Sequence, residues 1–270
     1  MTPTYRMPVV FGPTAGPRYA PPGVSYALHA SPKRRTAYIR LLTDASALER
    51  WLPPGFSVRG TPMVSIEHTA LTEIDWLAGR GYNMLAVKFP VFLQHDGRQL
   101  AGWFQPVIWE NMADPIISGR EELGFNKIFA QLPPERVSQA SHVWTAEWEG
   151  FRFLEITLKD LQPAELPADA PLHLFHQQYM PRVGTLGQAE SSHVVVTPAG
   201  NRQMTVTEHH RASATLQWGD PAWSDMPTQF QIVQALRGIP VHGVQSAGML
   251  MAYGGKDLSD QCRVEDLPVA

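Results

Sequence analysis

The residues that could do chemistry are concentrated in one stretch, Asp114-Pro115-Ile116-Ile117-Ser118-Gly119-Arg120-Glu121-Glu122-Leu123-Gly124-Phe125-Asn126-Lys127. Lys127 follows a turn-like glycine in a mostly apolar neighbourhood. Loss of solvation there disfavours an ammonium, so a free amine is expected near neutral pH. A free amine attacks carbonyl carbons, and the resulting imine is an electron sink. Other chemistries find less support. The chain has 10 histidines, including Glu208-His209-His210 and the pair His173 and His176. Strand neighbours such as His209 and His210 point to opposite faces and cannot share an ion, and no His-Glu-x-x-His helix is present. Each histidine is read as a satisfied structural residue, and no metal is assigned. Gly184 and Gly187 lack the context of a phosphate loop, and no Gly-x-Ser-x-Gly elbow supports a serine hydrolase.

The segment Ile116 to Lys127 resembles the Gly-Arg-Glu…(Tyr/Phe)-Pro-Lys segment of the acetoacetate decarboxylases, in which the lysine forms a Schiff base with a β-keto acid. That mechanism is borrowed from the family, whose acetoacetate decarboxylase is the standard instance of a lysine activated in this way. The resemblance places further residues. Arg34 falls where the decarboxylases carry an active-site arginine, implying a two-toothed grip on a substrate carboxylate; Lys33-Arg34-Arg35 also reads as a solvated surface cluster. Glu67 falls on a pocket-lining glutamate. Glu121 matches the glutamate of the motif and Glu122 replaces an apolar residue; either orients a water or the lysine, or stabilises a helix start. Gly248 to Gly254 resembles the family's last strand, which makes Tyr253 either a proton donor or a core anchor. Trp109, just upstream of the lysine motif, is the one tryptophan read as a candidate for the pocket.

Two departures bear on the reaction. Ile128 stands where the family has a second lysine, so activation of Lys127 must come chiefly from desolvation. Met84 stands where the family has a glutamate implicated in decarboxylation. The reading is therefore a cofactor-independent Schiff-base lyase acting on small keto acids, with pyruvate aldolase and dehydratase chemistry favoured. Acetoacetate decarboxylation and non-catalytic keto-acid binding are the alternatives. Partners are a small keto acid and an aldehyde co-substrate, with neither nucleic acid nor membrane.

These residues need a scaffold. With 270 residues, 44% hydrophobic and 17% charged, the chain has the composition of a globular protein able to bury a core. A net charge of -3 gives no electrostatic case for nucleic acid or anionic lipid. The single cysteine, Cys262, excludes an internal disulfide. No apolar run is long enough to span a bilayer, and the start lacks the apolar core of a signal peptide, so a cytoplasmic protein is expected.

Prolines 3, 8, 13, 17, 21 and 22 make residues 1–30 an extended arm, suited to wrapping a neighbouring subunit in a homo-oligomer or to fraying. Residues 31–270 then form one domain. Strands are expected at 36–42, 63–72, 82–93, 102–109, 141–148, 151–158, 173–179, 193–197, 202–207 and 213–218. Asp96-Gly97 and Glu149-Gly150 mark hairpins, with a further turn at Ala199-Gly200-Asn201. Helices are expected at 46–51 with Asp44 as its cap, 119–129 and 230–237. The fold class is α+β: mainly antiparallel β, in a curled or closed sheet, with a few helices.

Overall fold

The computed structural model describes residues 3–166, 172–200, 204–256 and 258–268. Strand β1 (Lys33–Leu42) leads into helix α1 (Ala45–Glu49), then β2 (Phe56–Val58), β3 (Met63–Ile74), β4 (Arg80–His95) and β5 (Arg98–Glu110). Helix α2 (Ala113–Glu121) precedes β6 (Lys127–Phe129), β7 (Arg136–Ser138), β8 (Ser141–Trp148) and β9 (Phe151–Pro163). The remainder is β10 (His173–Pro181), β11 (Ala189–Thr197), β12 (Thr205–Trp218), α3 (Phe230–Arg237), β13 (Gly243–Tyr253) and β14 (Cys262–Arg263).

Among the described residues all of these strands share one sheet, in the order β14-β11-β10-β5-β4-β3-β1-β13-β12-β9-β8-β7, with β2 on β4 and β6 on β5. The β10–β5 and β5–β6 pairs are parallel; the others are antiparallel. The order has two ends, so the sheet is open. It is curled, because apolar side chains of β1, β3, β4 and β5 meet those of β8 and β9 in one core cluster. Leu48 of α1 and Val233 and Leu236 of α3 belong to the same cluster. Burying this face drives the curling, since one contiguous core removes more apolar surface from water than two separate layers would.

Both expected hairpins are present. Asp96 and Gly97 have φ of 49° and 72°, and Glu149 and Gly150 have 45° and 90°. Two successive positive φ values are what a two-residue I′ turn requires. The helix expected at 119–129 is displaced: α2 begins at Ala113 and ends at Glu121, and Lys127 opens a strand. Pro115 lies in the first turn of α2, where its missing N–H costs nothing, and Gly124, at φ 73°, turns the chain away from the helix. The strands expected at 202–207 and 213–218 are one strand, β12, whose alternation is broken by a register shift between Arg211 and Ser213. Asn201, Arg202 and Gln203 lie outside the described residues. Asp44 occupies the N-cap position of α1 but donates no side-chain cap; its Oδ1 lies 2.9 Å from His242 Nε2 instead. Within residues 1–30, Arg6 Nε donates to Glu122 Oε1 at 2.7 Å.

Candidate active site

Paired residues on neighbouring strands point to the same face of a sheet, so the register defines what shares a face with Lys127. Lys127 pairs with Ile108, Ile108 with Ala86, Ala86 with Glu67, and Glu67 with Tyr38. The adjacent row runs Glu110, Met84, Thr69, Thr36. Two-residue steps along β1 and β4 add Arg34, Arg40, Tyr82 and Lys88. This face is polar, whereas Ala37, Ile39, Ile66, Leu85, Val87 and Trp109 on the other face enter the core.

Lys127 is 7% exposed. Its side chain runs across α2, donating from Nζ to the Pro115 carbonyl at 3.0 Å, and Nζ lies 2.9 Å from Glu110 Oε1. Gly119 makes that path possible, since a Cβ there would meet Lys127 Cδ, Cε and Nζ at 2.5, 2.7 and 2.9 Å. Glu110 is fully buried, and neither of its oxygens accepts an aligned hydrogen bond among the described residues. Burial pushes its carboxyl up, and the neighbouring Lys127 opposes this only in part. Arg120 steadies the backbone here by donating to the Lys127 carbonyl at 2.9 Å.

Three groups extend the site. The Tyr82 phenol is pushed well up by burial and then by Glu110, against the pull of Arg34. His176 is fully buried, its ring 4.6 Å from that of Phe125, and its imidazole is pushed down to about 3 by burial and then by Lys127 and Lys88. It is therefore neutral. Lys88 Nζ lies 2.6 Å from Glu67 Oε2, and Ser65 Oγ donates to Glu67 Oε1 at 3.2 Å. Burial acts to raise the Glu67 carboxyl; Lys88, Arg40 and Ser65 outweigh it and hold the group below its ordinary value.

The family model of acetoacetate decarboxylase (ADC) matches residues 6–251. The chain belongs to the acetoacetate decarboxylase family. Solved structures agree in fold. Acetoacetate decarboxylase from Legionella pneumophila has a TM-score of 0.64 at 17% identity, covering 88% of this chain and 92% of that one. The enduracididine biosynthesis enzyme MppR complexed with pyruvate gives 0.62 at 17%, covering 94% and 95%. An acetoacetate decarboxylase-like enzyme from Sphingomonas wittichii RW1 gives 0.61 at 18%, covering 86% and 91%. No curated protein matches the sequence.

Within this acetoacetate decarboxylase fold the expected site residues separate into two groups. Arg34, Glu67, Met84 and Lys127 share the polar face. Arg34 is half-buried and donates to the Gly254 carbonyl at 3.3 Å. Trp109 does not share it: fully buried on the opposite face, it packs on Phe153 and donates from Nε1 to Gln229 Oε1 at 2.7 Å. Glu121 is exposed at the end of α2, and Glu122 is bound by Arg6, so neither reaches the amine. Tyr253 is 38% exposed and pairs with Lys33, out of phase with Arg34. The phenol that feels the Glu110 charge is that of Tyr82.

Glu110 is the residue that sequence reasoning missed, because the expected strand stopped at Trp109. Its signal was a lone carboxylate closing an apolar strand. Its position corrects the reading of Met84: the two are cross-strand partners. A carboxylate absent at position 84 is thus supplied from the next strand, and this part of the site is not apolar. The reading of every histidine as satisfied is also corrected, since both ring nitrogens of His68 and the Nε2 of His176 are buried without a hydrogen-bond partner. Among the described residues no group of histidine, cysteine and carboxylate side chains is arranged to hold a metal.

Proposed function

We propose that this chain is a Schiff-base-forming lyase of small keto acids, with Lys127 as nucleophile and pyruvate aldolase or dehydratase chemistry as its reaction. The observation that carries the reading is the buried Lys127–Glu110 pair at 2.9 Å. Passing a proton from Nζ to Glu110 frees the amine and leaves a carboxylic acid. The free amine then attacks the keto carbon. The C–N bond forms as the carbonyl oxygen takes the proton from Glu110, and that oxygen leaves as water with a second proton from Nζ, giving the iminium and returning Glu110 to the carboxylate. Glu110 next removes a proton from the carbon beside the iminium, yielding an enamine. The enamine carbon bonds to the carbonyl carbon of the second reactant, whose oxygen takes up the proton; water then hydrolyses the imine.

The charge of the face favours addition over loss of carbon dioxide. Among the described residues of this face, Arg34 and Lys88 outnumber the one fixed carboxylate, Glu67. Cations stabilise a substrate carboxylate, and decarboxylation must give up that charge. Acetoacetate decarboxylation stands as the second reading, because Glu110 restores a carboxylate beside the imine. MppR, a fold relative, is described in complex with the condensation product of pyruvate and imidazole 4-carboxaldehyde, in keeping with the first reading. No helix of the described residues is long and apolar enough to cross a membrane. The reading takes residues 31–270 as one domain with 1–30 as an arm, in a cytoplasmic homo-oligomer.

Adding pyruvate with borohydride should add one reduced ligand to the peptide containing Lys127, read by mass spectrometry. Pyruvate with an aldehyde should give a condensation product, and acetoacetate should release little acetone. Labelling of a different lysine removes the nucleophile assignment. Rapid acetone formation without aldehyde-dependent pyruvate consumption restores the decarboxylase reading.

A further inference from the structure

Arg40 is a cation on the polar face that attracts Glu67 without forming an ion pair with it. Its guanidinium carbon lies 5.5 Å from the Tyr38 ring centroid and 5.9 Å from that of Trp103. Among the described residues it forms no ion pair, and its Nε is buried without a hydrogen-bond partner. The carboxylate it attracts, Glu67, is already engaged by Lys88 at 2.6 Å and by Ser65. The Tyr38 hydroxyl is also engaged, with His209 Nε2 at 2.9 Å. The two rings attract the guanidinium, and its planar fork of N–H donors matches a planar anion.

The register gives this group its place in the reaction. The row of Lys127 meets β1 at Tyr38. Arg40 is two residues to one side of that row, about 7 Å along the strand, and Arg34 is four residues to the other, about 13 Å. With backbones about 20 Å apart along β1, and with Arg34 donating to the Gly254 carbonyl while Arg40 sits by Tyr38 and Trp103, the two do not converge on the single carboxylate of a three-carbon keto acid. One of them is left for the other reactant.

We propose that Arg40, set over Tyr38 and Trp103 and accompanied by Lys88, binds a carboxylate on the second reactant, so that the electrophile joined to the pyruvate-derived enamine is itself an oxo acid. The inference rests on the imine reading and names the substrate class that reading leaves open. The new carbon–carbon bond forms over the row between the two arginines, with one carboxylate held at each end.

Glycolate, the hydroxy analogue of glyoxylate, has no aldehyde carbonyl and reports the anion site without imine chemistry. Calorimetric titration should show glycolate binding to the intact protein, weakened about tenfold or more in Arg40→Gln and partly retained in Arg40→Lys, which keeps the charge and loses the planar fork. With saturating pyruvate, Arg40→Gln should raise the half-saturating glyoxylate concentration to the same degree and leave that of acetaldehyde unchanged. Borohydride trapping of pyruvate at Lys127 should be as fast in Arg40→Gln as in the parent, which also shows that the variant is folded. Equal glycolate affinity in parent and Arg40→Gln, equal losses with glyoxylate and acetaldehyde, or tighter binding of inorganic phosphate than of glycolate each overturn the proposal. Loss of pyruvate trapping in folded Arg40→Gln also overturns it, by assigning Arg40 to the keto acid. Failure of parent trapping together with Arg40-dependent glycolate binding removes the imine reading and keeps the carboxylate site.

Discussion

Lys127 and Glu110 explain each other. A lone ammonium or carboxylate buried this deeply costs several kcal/mol, and the pair is tolerated because each is the other's counter-charge and proton partner. Attack on a carbonyl needs a neutral amine, and Glu110 lies where it can take the proton from Nζ. Glu110→Gln keeps the shape of the side chain and removes the proton acceptor. Borohydride trapping of pyruvate should slow by about 100-fold or more, the range typical of a positioned acid–base group; an unchanged trapping rate would transfer the role to another base. Lys127→Arg should abolish trapping altogether, since a guanidinium stays protonated and cannot attack. The lysine proposed as nucleophile stood out in the sequence because it lies in a contiguous motif. Its partner did not, because the contact joins positions on different elements through a parallel register no local pattern reveals.

At the level of elements, α2 and β6 act as one device, and Gly119 is the position where they touch. The helix lends the Pro115 carbonyl to Nζ, and the absence of a side chain at Gly119 lets the lysine pass. Gly119→Ala would place a methyl 2.5–2.9 Å from the far end of a flexible chain, so the lysine yields and the backbone need not. Thermal stability should therefore fall little, by no more than about the 2–4 °C that 1 kcal/mol represents in a domain of this size. Imine trapping should drop about tenfold or more as Nζ leaves Glu110. A large fall in the unfolding temperature would show instead that the contact is structural. Most strands and both I′ hairpins could be read from alternation and turn residues, because those signals are local. The strand order was not readable. β1 lies between β3 and β13, a pairing of segments some 200 residues apart, and only that order sets Arg34 and Arg40 on the face of Lys127. Tyr253 and Trp109 were misplaced for the same reason: sequence proximity to a motif does not fix which side of a sheet a residue faces.

The whole molecule divides one curled sheet into an apolar face and a polar face, and each carries a buried histidine that answers to pH. His68, 2% exposed beside Trp144 on the core face, is pushed down from 6.5 to about 4 by burial. His176 on the polar face is pushed down to about 3. Both take up protons more readily in the unfolded chain, so stability falls as pH drops below the unfolded value of 6.5 and continues to fall toward the folded ones. At pH 5 each imidazole should cost about 2 kcal/mol relative to pH 8, by the 1.36 kcal/mol per unit of linkage. Glu67, held below its ordinary value, adds loss in the same direction at lower pH; Glu110, held above it, works the other way. Urea unfolding at pH 8 and pH 5 should therefore differ by about 4 kcal/mol, and His68→Phe, which keeps a ring against Trp144 and removes the proton site, should halve the difference. Equal stability at the two pH values would mean that the buried imidazoles gain partners in solution, and an undiminished difference in His68→Phe would place the acid sensitivity on the polar face with His176.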